Sequence, residues 1–230
     1  SGNTCGGGLH MLNLDNPTEP EFVGCFSDSN TGRSGTGYSH DAMCIVYAGP
    51  DSDHQGKEIC FGSNETAISI SDVTDKSNPV ALSSASYPNV GYAHQGWITE
   101  DHKYFYSNDE LDETSGSVSH TRTLVWDVTD LDDPLLINEF MSTEQASDHN
   151  LYVKGNYVYQ SNYVAGLRIL DIQDPANPVE IGFFDTVPFG DNAAGFDGSW
   201  SNYPYFESGN IIVTSGREGL FILKRREVDI

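Results

Sequence analysis

Apolar residues recur along this chain in short runs that end on Asp, Asn or Lys, and a proline turn usually follows. The runs cover residues 9–13, 67–72, 124–127, 167–171 and 220–224, and the prolines after the first four are Pro17, Pro79, Pro134 and Pro178. The repeat length is roughly 50 residues, the range of stacked or radially arranged units. Residues 147–185 show one unit in full. A strand is predicted over 148–153, a turn at Lys154-Gly155-Asn156, a second strand over 157–160 and a third over 167–172. Asp174-Pro175-Ala176-Asn177-Pro178 forms a corner, and a fourth strand follows over 179–184. Alternating aromatic and β-branched residues between Gly, Asn and Pro are strand signals. The prolines fall between strands three and four, where no ladder donor is required.

The same order covers 38–87, with an insertion at 48–56, and 92–141, with an acidic insertion at 109–119. Residues 197–224 lack the fourth strand, and 7–26 hold only strands three and four. The expectation is a single all-β domain, a β-propeller of four-stranded antiparallel blades, with about four blades and a partial one present. A β-sandwich would leave the repetition unexplained, and no segment reads as an amphipathic helix. Beginning inside one blade and stopping inside another, the chain is expected to be completed by another polypeptide or by oligomerisation, since an open propeller exposes backbone and apolar faces.

Composition narrows the partners. The formal charge is −23, from 34 acidic and 11 basic residues. Such a surface repels nucleic acid and anionic membranes and suits salt or divalent cations. No run approaches the roughly 20 apolar residues of a transmembrane helix. Ser1-Gly2-Asn3 could follow a cleavage, which leaves secretion open. Cys5 and Cys25, and Cys44 and Cys60, flank neighbouring antiparallel strands. Disulfides Cys5–Cys25 and Cys44–Cys60 are favoured among the three possible connectivities, and with them an oxidising compartment. Asn64-Glu65-Thr66 is a glycosylation triplet of low specificity.

Several consecutive segments resemble one family. They are Tyr92-Ala93-His94-Gln95-Gly96-Trp97-Ile98-Thr99-Glu100-Asp101-His102, Asp148-His149-Asn150-Leu151-Tyr152-Val153 and Trp200-Ser201-Asn202-Tyr203-Pro204-Tyr205, with Glu58-Ile59-Cys60-Phe61 and Ala165-Gly166-Leu167-Arg168-Ile169-Leu170-Asp171. They look like the choice-of-anchor B proteins, extracellular bacterial proteins with LVIVD-type propeller repeats. The resemblance runs nearly end to end but covers only the C-terminal part of the family pattern. Members are longer at the N-terminus, and the polar tail Lys224-Arg225-Arg226-Glu227-Val228-Asp229-Ile230 does not look like their anchor signals. The resemblance implies a fold and an extracellular or cell-surface location, with the periplasm as the alternative. It implies no reaction.

Three histidines carry the sharpest chemistry. His40, His94 and His149 each open the first strand of a unit, and aligning Asp197-Gly198-Ser199-Trp200 with His94-Gln95-Gly96-Trp97 puts Asp197 at the fourth place. First strands are innermost in a propeller, so these side chains are expected to converge. They could hold copper or zinc, with Asp41, Gln95, Asp148 and Asn150 orienting the rings. The alternatives are a polar ligand pocket and a packing device in which each residue bonds the next blade's backbone.

Calcium is the second candidate. Asp51, Asp53 and Gln55 alternate before Gly56, like the first half of a calcium loop, but Gly62 stands where an EF-hand has Glu. Asp28-Ser29-Asn30-Thr31-Gly32 is a weaker match, and Asp109-Glu110-Leu111-Asp112-Glu113 packs four carboxylates into five residues. No nucleophile elbow, HExxH motif or phosphate loop occurs, and Ser39-His40-Asp41 is no triad because adjacent strand residues face opposite ways. No organic cofactor is expected. The leading functional expectation is a non-enzymatic extracellular binding or scaffold protein. The alternatives are a secreted copper or zinc enzyme with axial histidines and a calcium-stabilised surface-layer or matrix component.

Overall fold

In the computed structural model, which describes residues 3–226, each third strand but the last ends on a side chain that starts the corner. Asn13, Asp72, Asp127 and Asp171 each accept the N–H two residues on, at 2.7–3.0 Å. A second such turn follows at Asn16, Asp75, Asp130 and Asp174. Short carboxylates and amides stabilise this turn because they reach their own backbone, and proline then prevents the strand from resuming. Lys224 ends the last run and has no such side chain.

The strands are arranged as the repeat predicts. β1 (Leu9–Asn13) and β2 (Glu21–Phe26) form a two-stranded sheet. Blade I comprises β3 (Asp41–Val46), β4 (Glu58–Ser63), β5 (Ile68–Asp72) and β6 (Val80–Ala85). Blade II comprises β7 (Ala93–Ile98), β8 (Tyr104–Asp109), β9 (Arg122–Asp127) and β10 (Leu135–Met141), with the short helix α1 (Asp112–Ser115) inside its acidic insertion. Blade III comprises β11 (Asn150–Lys154), β12 (Tyr157–Ser161), β13 (Leu167–Asp171) and β14 (Val179–Phe184). Blade IV is three-stranded, with β15 (Ser199–Tyr203), β16 (Asn210–Ser215) and β17 (Gly219–Lys224). Each sheet is antiparallel and ordered as in the chain, so this is a blade-built β-propeller fold. The four-residue α1 is the one α-helix among the described residues and was not anticipated. Among those residues no helix is long and apolar enough to cross a membrane.

Strand alternation explains why the central strands are apolar on both faces. Phe105, Leu124 and Trp126 join the core between blades I and II, with Ile59, Phe61 and Ile70. Their neighbours Tyr106 and Val125 turn the other way into the core between blades II and III, with Leu151, Val158 and Leu170. A third core joins Tyr159 and Ile169 to Ile211 and Val213. Each of these side chains contributes about 1.5–3 kcal/mol by leaving water. Where strands three and four pair, the register slips in blades I, II and III and in the β1–β2 sheet. The extra residue adds twist, which a fan of blades needs.

Both expected disulfides form. Cys44 and Cys60 face each other across β3 and β4, and Cys25 of β2 is joined to Cys5 of the preceding turn. The glycosylation triplet is not presented to solvent, because Asn64 is buried and donates to the Thr31 hydroxyl at 2.8 Å. The polar tail can be followed only to Arg226, and Ser1, Gly2 and residues 227–230 lie outside the described residues.

Candidate metal centre

The first strands β3, β7, β11 and β15 contact one another in succession, so they line the inner side of the fan. The three histidines meet there. Ring centroids of His40 and His94 are 4.3 Å apart, and those of His94 and His149 are 4.5 Å apart. Each ring bonds the backbone of the next blade. His40 Nδ1 donates to the His94 carbonyl at 3.1 Å, His94 Nδ1 to the His149 carbonyl at 3.0 Å, and His149 Nδ1 to the Trp200 carbonyl. A carbonyl only accepts, so each Nδ1 carries the proton and each Nε2 keeps its lone pair.

These bonds are a packing device, and they also prepare a site. His94 Nε2 lies 3.6 Å from Glu110 Oε2, and His149 Nε2 lies 3.7 Å from Glu110 Oε1. Two atoms each about 2.1 Å from a tetrahedral zinc lie about 3.4 Å apart, so a small adjustment suffices. His94, Glu110 and His149 therefore form one set of potential ligands, with both histidines buried. Burial, reinforced by His149 and His40, pushes the His94 pKa down to about 2. Burial also lowers that of His149. Both rings are neutral at physiological pH, the state a metal requires. The Tyr163 hydroxyl donates to Glu110 Oε1 and holds the carboxylate in place.

The other expected participants fall elsewhere. His40 is exposed and stacks on His94 but stands outside the ligand set. Asp197 is not the fourth member of the ring. Its exposed carboxylate pairs with Arg217 at 3.1 Å. Trp200 takes the place instead. Ala93 and Ser199 make equivalent bridges to the preceding blade, Glu65↔Ala93 and Tyr163↔Ser199, and His94 and Trp200 are the extra residues just after them. Matching the tryptophans Trp97 and Trp200 thus set the alignment three residues off. At Gly198 an added β-carbon would lie 2.4 Å from the Tyr163 carbonyl, and φ is +108°. Glycine there lets β15 approach closely enough for Trp200 to receive His149.

The rings are oriented by backbone carbonyls rather than by the expected side chains. Gln95 stitches blades II and III by bonding the Leu151 N–H and carbonyl at 2.9 and 3.0 Å. Asn150 donates to the same Trp200 carbonyl as His149. Asp41 is exposed and Asp148 is fully buried. The Asp51 loop does not gather its residues. Asp51 accepts the N–H groups of Asp53 and Leu131, Gln55 donates to the Gly49 carbonyl, and Asp53 is exposed. The structure brings His54 and Asp132 to Asp51 instead. In the weaker Asp28 loop, the carboxylate accepts from Asn30 N–H and the Ser69 hydroxyl.

Glu110 was legible only as part of an acidic run. Glu110 lies just past the β7–β8 pairing, where Ala93 faces Asp109 and the Glu110 N–H bonds the Tyr92 carbonyl, and the bulge after Ala93 is what turns His94 towards it.

Residues 147–186, which make up blade III and its edges, match the LVIVD repeat model. A solved structure of a protein from Lactobacillus plantarum superposes with a TM-score of 0.65 at 12% sequence identity. It matches 96% of this chain, which spans 61% of that protein. At that identity the likeness is one of fold. No curated protein matches the chain in sequence.

Proposed function

We propose that this chain is part of an extracytoplasmic β-propeller that binds a transition-metal ion, zinc or copper(II), at the inner mouth of its blades. One observation carries the reading: two buried imidazoles, each locked by a backbone carbonyl, present free Nε2 atoms to a single carboxylate. Two imidazoles and one carboxylate suit these ions and leave a coordination position for water or a ligand. The resemblance to choice-of-anchor B proteins and the two disulfides support an extracellular or periplasmic location.

Titration calorimetry with zinc and with copper on the full chain tests this. One equivalent should bind, and His149→Ala or Glu110→Gln should each weaken binding at least tenfold. Asp197→Asn should leave it unchanged. Absence of stoichiometric metal, or equal affinity in all variants, would refute the site.

Assembly is a second reading, supported by the outer face of blade IV. Leu220 and Ile222 are 60% and 67% exposed, and Ile212 and Tyr203 line up beside Ile222 across the sheet. In the other blades this kind of face is covered by the next blade. The binding or scaffold role expected from the sequence would use it to dock a further β-blade from another polypeptide.

A further inference from the structure

The fourth strands make a contact that passes from blade to blade. At the register slip, β2, β6, β10 and β14 each set one residue opposite the third-strand residue two before its end. These residues are Gly24, Ser83, Asn138 and Gly182. The first three meet the corner of the next blade. The Ser83 hydroxyl donates to the Leu131 carbonyl at 2.5 Å, and the Asn138 amide donates to the Ala176 carbonyl at 2.6 Å. At Gly24 the Lys76 carbonyl comes so close that an added β-carbon would lie 2.0 Å from it. The approaching backbone requires glycine there.

Gly182 is the fourth member, and nothing among the described residues meets it. A β-carbon there would find no atom within 4 Å, and its φ is not positive. The slip itself does not require glycine, since Ser83 and Asn138 hold the same position. Glycine inside a strand weakens it and marks a bulge or a close backbone approach, so the approach is the reason that remains. The corner of blade IV would supply it. The chain has no Asp or Asn at position 224 and no proline from 225 to 230, so the corner signals of the other blades are missing. A groove of about 300 Å³ lies beside Gly182, walled by Ile169, Phe184 and Leu223 and rimmed by Lys224, Arg225 and Arg226. Among the described residues β17 is the outermost strand of blade IV, so its outer backbone edge is open. Between blades I and II the corresponding place is taken by β10, whose Leu136 packs against the core.

We propose that blade IV takes its corner and fourth strand from another polypeptide, an acidic extended segment that adds to β17 and seats a backbone carbonyl on Gly182. The added strand runs antiparallel to β17, as each fourth strand does to its third. Main-chain bonds along the edge give affinity, and apolar side chains at alternate positions enter the groove. Three basic residues at the rim, in a chain with only 11, favour a segment that carries carboxylates. Gly182 is the selective element, because a side chain there would stand where the carbonyl must sit. The inference does not rest on the histidine centre. It concerns the side of β17 that faces blade III, where Phe221 and Leu223 pack, and not the outer face that bears Leu220 and Ile222.

The experiment uses a synthetic peptide that copies residues 128–141, the corner and fourth strand of blade II. It carries Asp130, Asp132, Asp133 and Glu139 and no lysine or arginine. Titration calorimetry on the full chain should show one peptide bound per chain, more weakly as salt rises. A peptide of the same composition in scrambled order should not bind. Gly182→Val should weaken binding at least tenfold. Its β-carbon enters open space, so its Tm should match that of the parent. Gly182→Ala should weaken binding in the same direction and decides the matter if the valine variant fails to fold. Leu220→Lys with Ile222→Lys should leave peptide binding intact, so this proposal and assembly through the outer face fail separately. No binding by the parent, or equal affinity in both Gly182 variants, would overturn the proposal. Self-association of the parent that Gly182→Val abolishes would also overturn it, by making a second copy the occupant.

Discussion

Arg122 shows how much can rest on one side chain. Its guanidinium is 1% exposed and bonds Asp112, Glu139 and the carbonyls of Pro88 and Asn89. It also stacks over the Tyr87 ring at 5.3 Å. Removing one partner of a buried ion pair leaves the other uncompensated, at a cost of about 3–5 kcal/mol. Arg122→Met, which keeps most of the volume, should therefore lower stability by about that amount in urea denaturation. A loss below about 1 kcal/mol would mean that Asp112 is neutralised in some other way.

At the scale of the element, the corner between strands three and four couples folding to pH. The Asp75 carboxyl is held below its usual range, first by the Ser77 hydroxyl and then by the Ser77 N–H. In Asp72, burial alone would raise the carboxyl, but bonds from Thr74 and Lys57 outweigh it and lower it. A carboxylate with a depressed folded pKa stabilises fully above the unfolded value of about 3.9. That contribution is lost as pH falls through the folded value. Thermal melts from pH 5 down to pH 2 should show the loss. Asp75→Asn keeps the turn and cannot titrate, so its melting curve should fall less steeply over that window. Identical acid limbs for variant and parent would rule this out. The two lowered carboxyls sit in an exposed corner, so the effect per residue is small.

For the whole molecule, the three inter-blade cores and the open face of blade IV follow the same rule. Each blade covers its neighbour, and blade IV has an outer face that nothing covers among the described residues. Light scattering at tens of micromolar should show species heavier than the 25.2 kDa monomer. Leu220→Lys with Ile222→Lys should return the protein to monomer. A monodisperse parent would remove the assembly reading and leave the metal site untouched. The charge of −23 works against self-association, so added salt should favour the larger species by screening it.

The sequence by itself determined the strand order, the corners and the cysteine pairs. All of these are local. Strand alternation acts between residues two apart, a corner Asp bonds its own backbone two residues on, and each disulfide joins neighbouring strands. Convergence of His94 and His149 was also readable, because repeated units place equivalent residues on the inner side. Tertiary structure alone decided what completes the site. Glu110 rather than Asp197 meets the imidazoles because the β7–β8 register and the bulges after Ala93 and Ser199 set which residues turn inward. Tertiary packing also buries Asp112 and Asp148, and no periodicity along one strand records such burial.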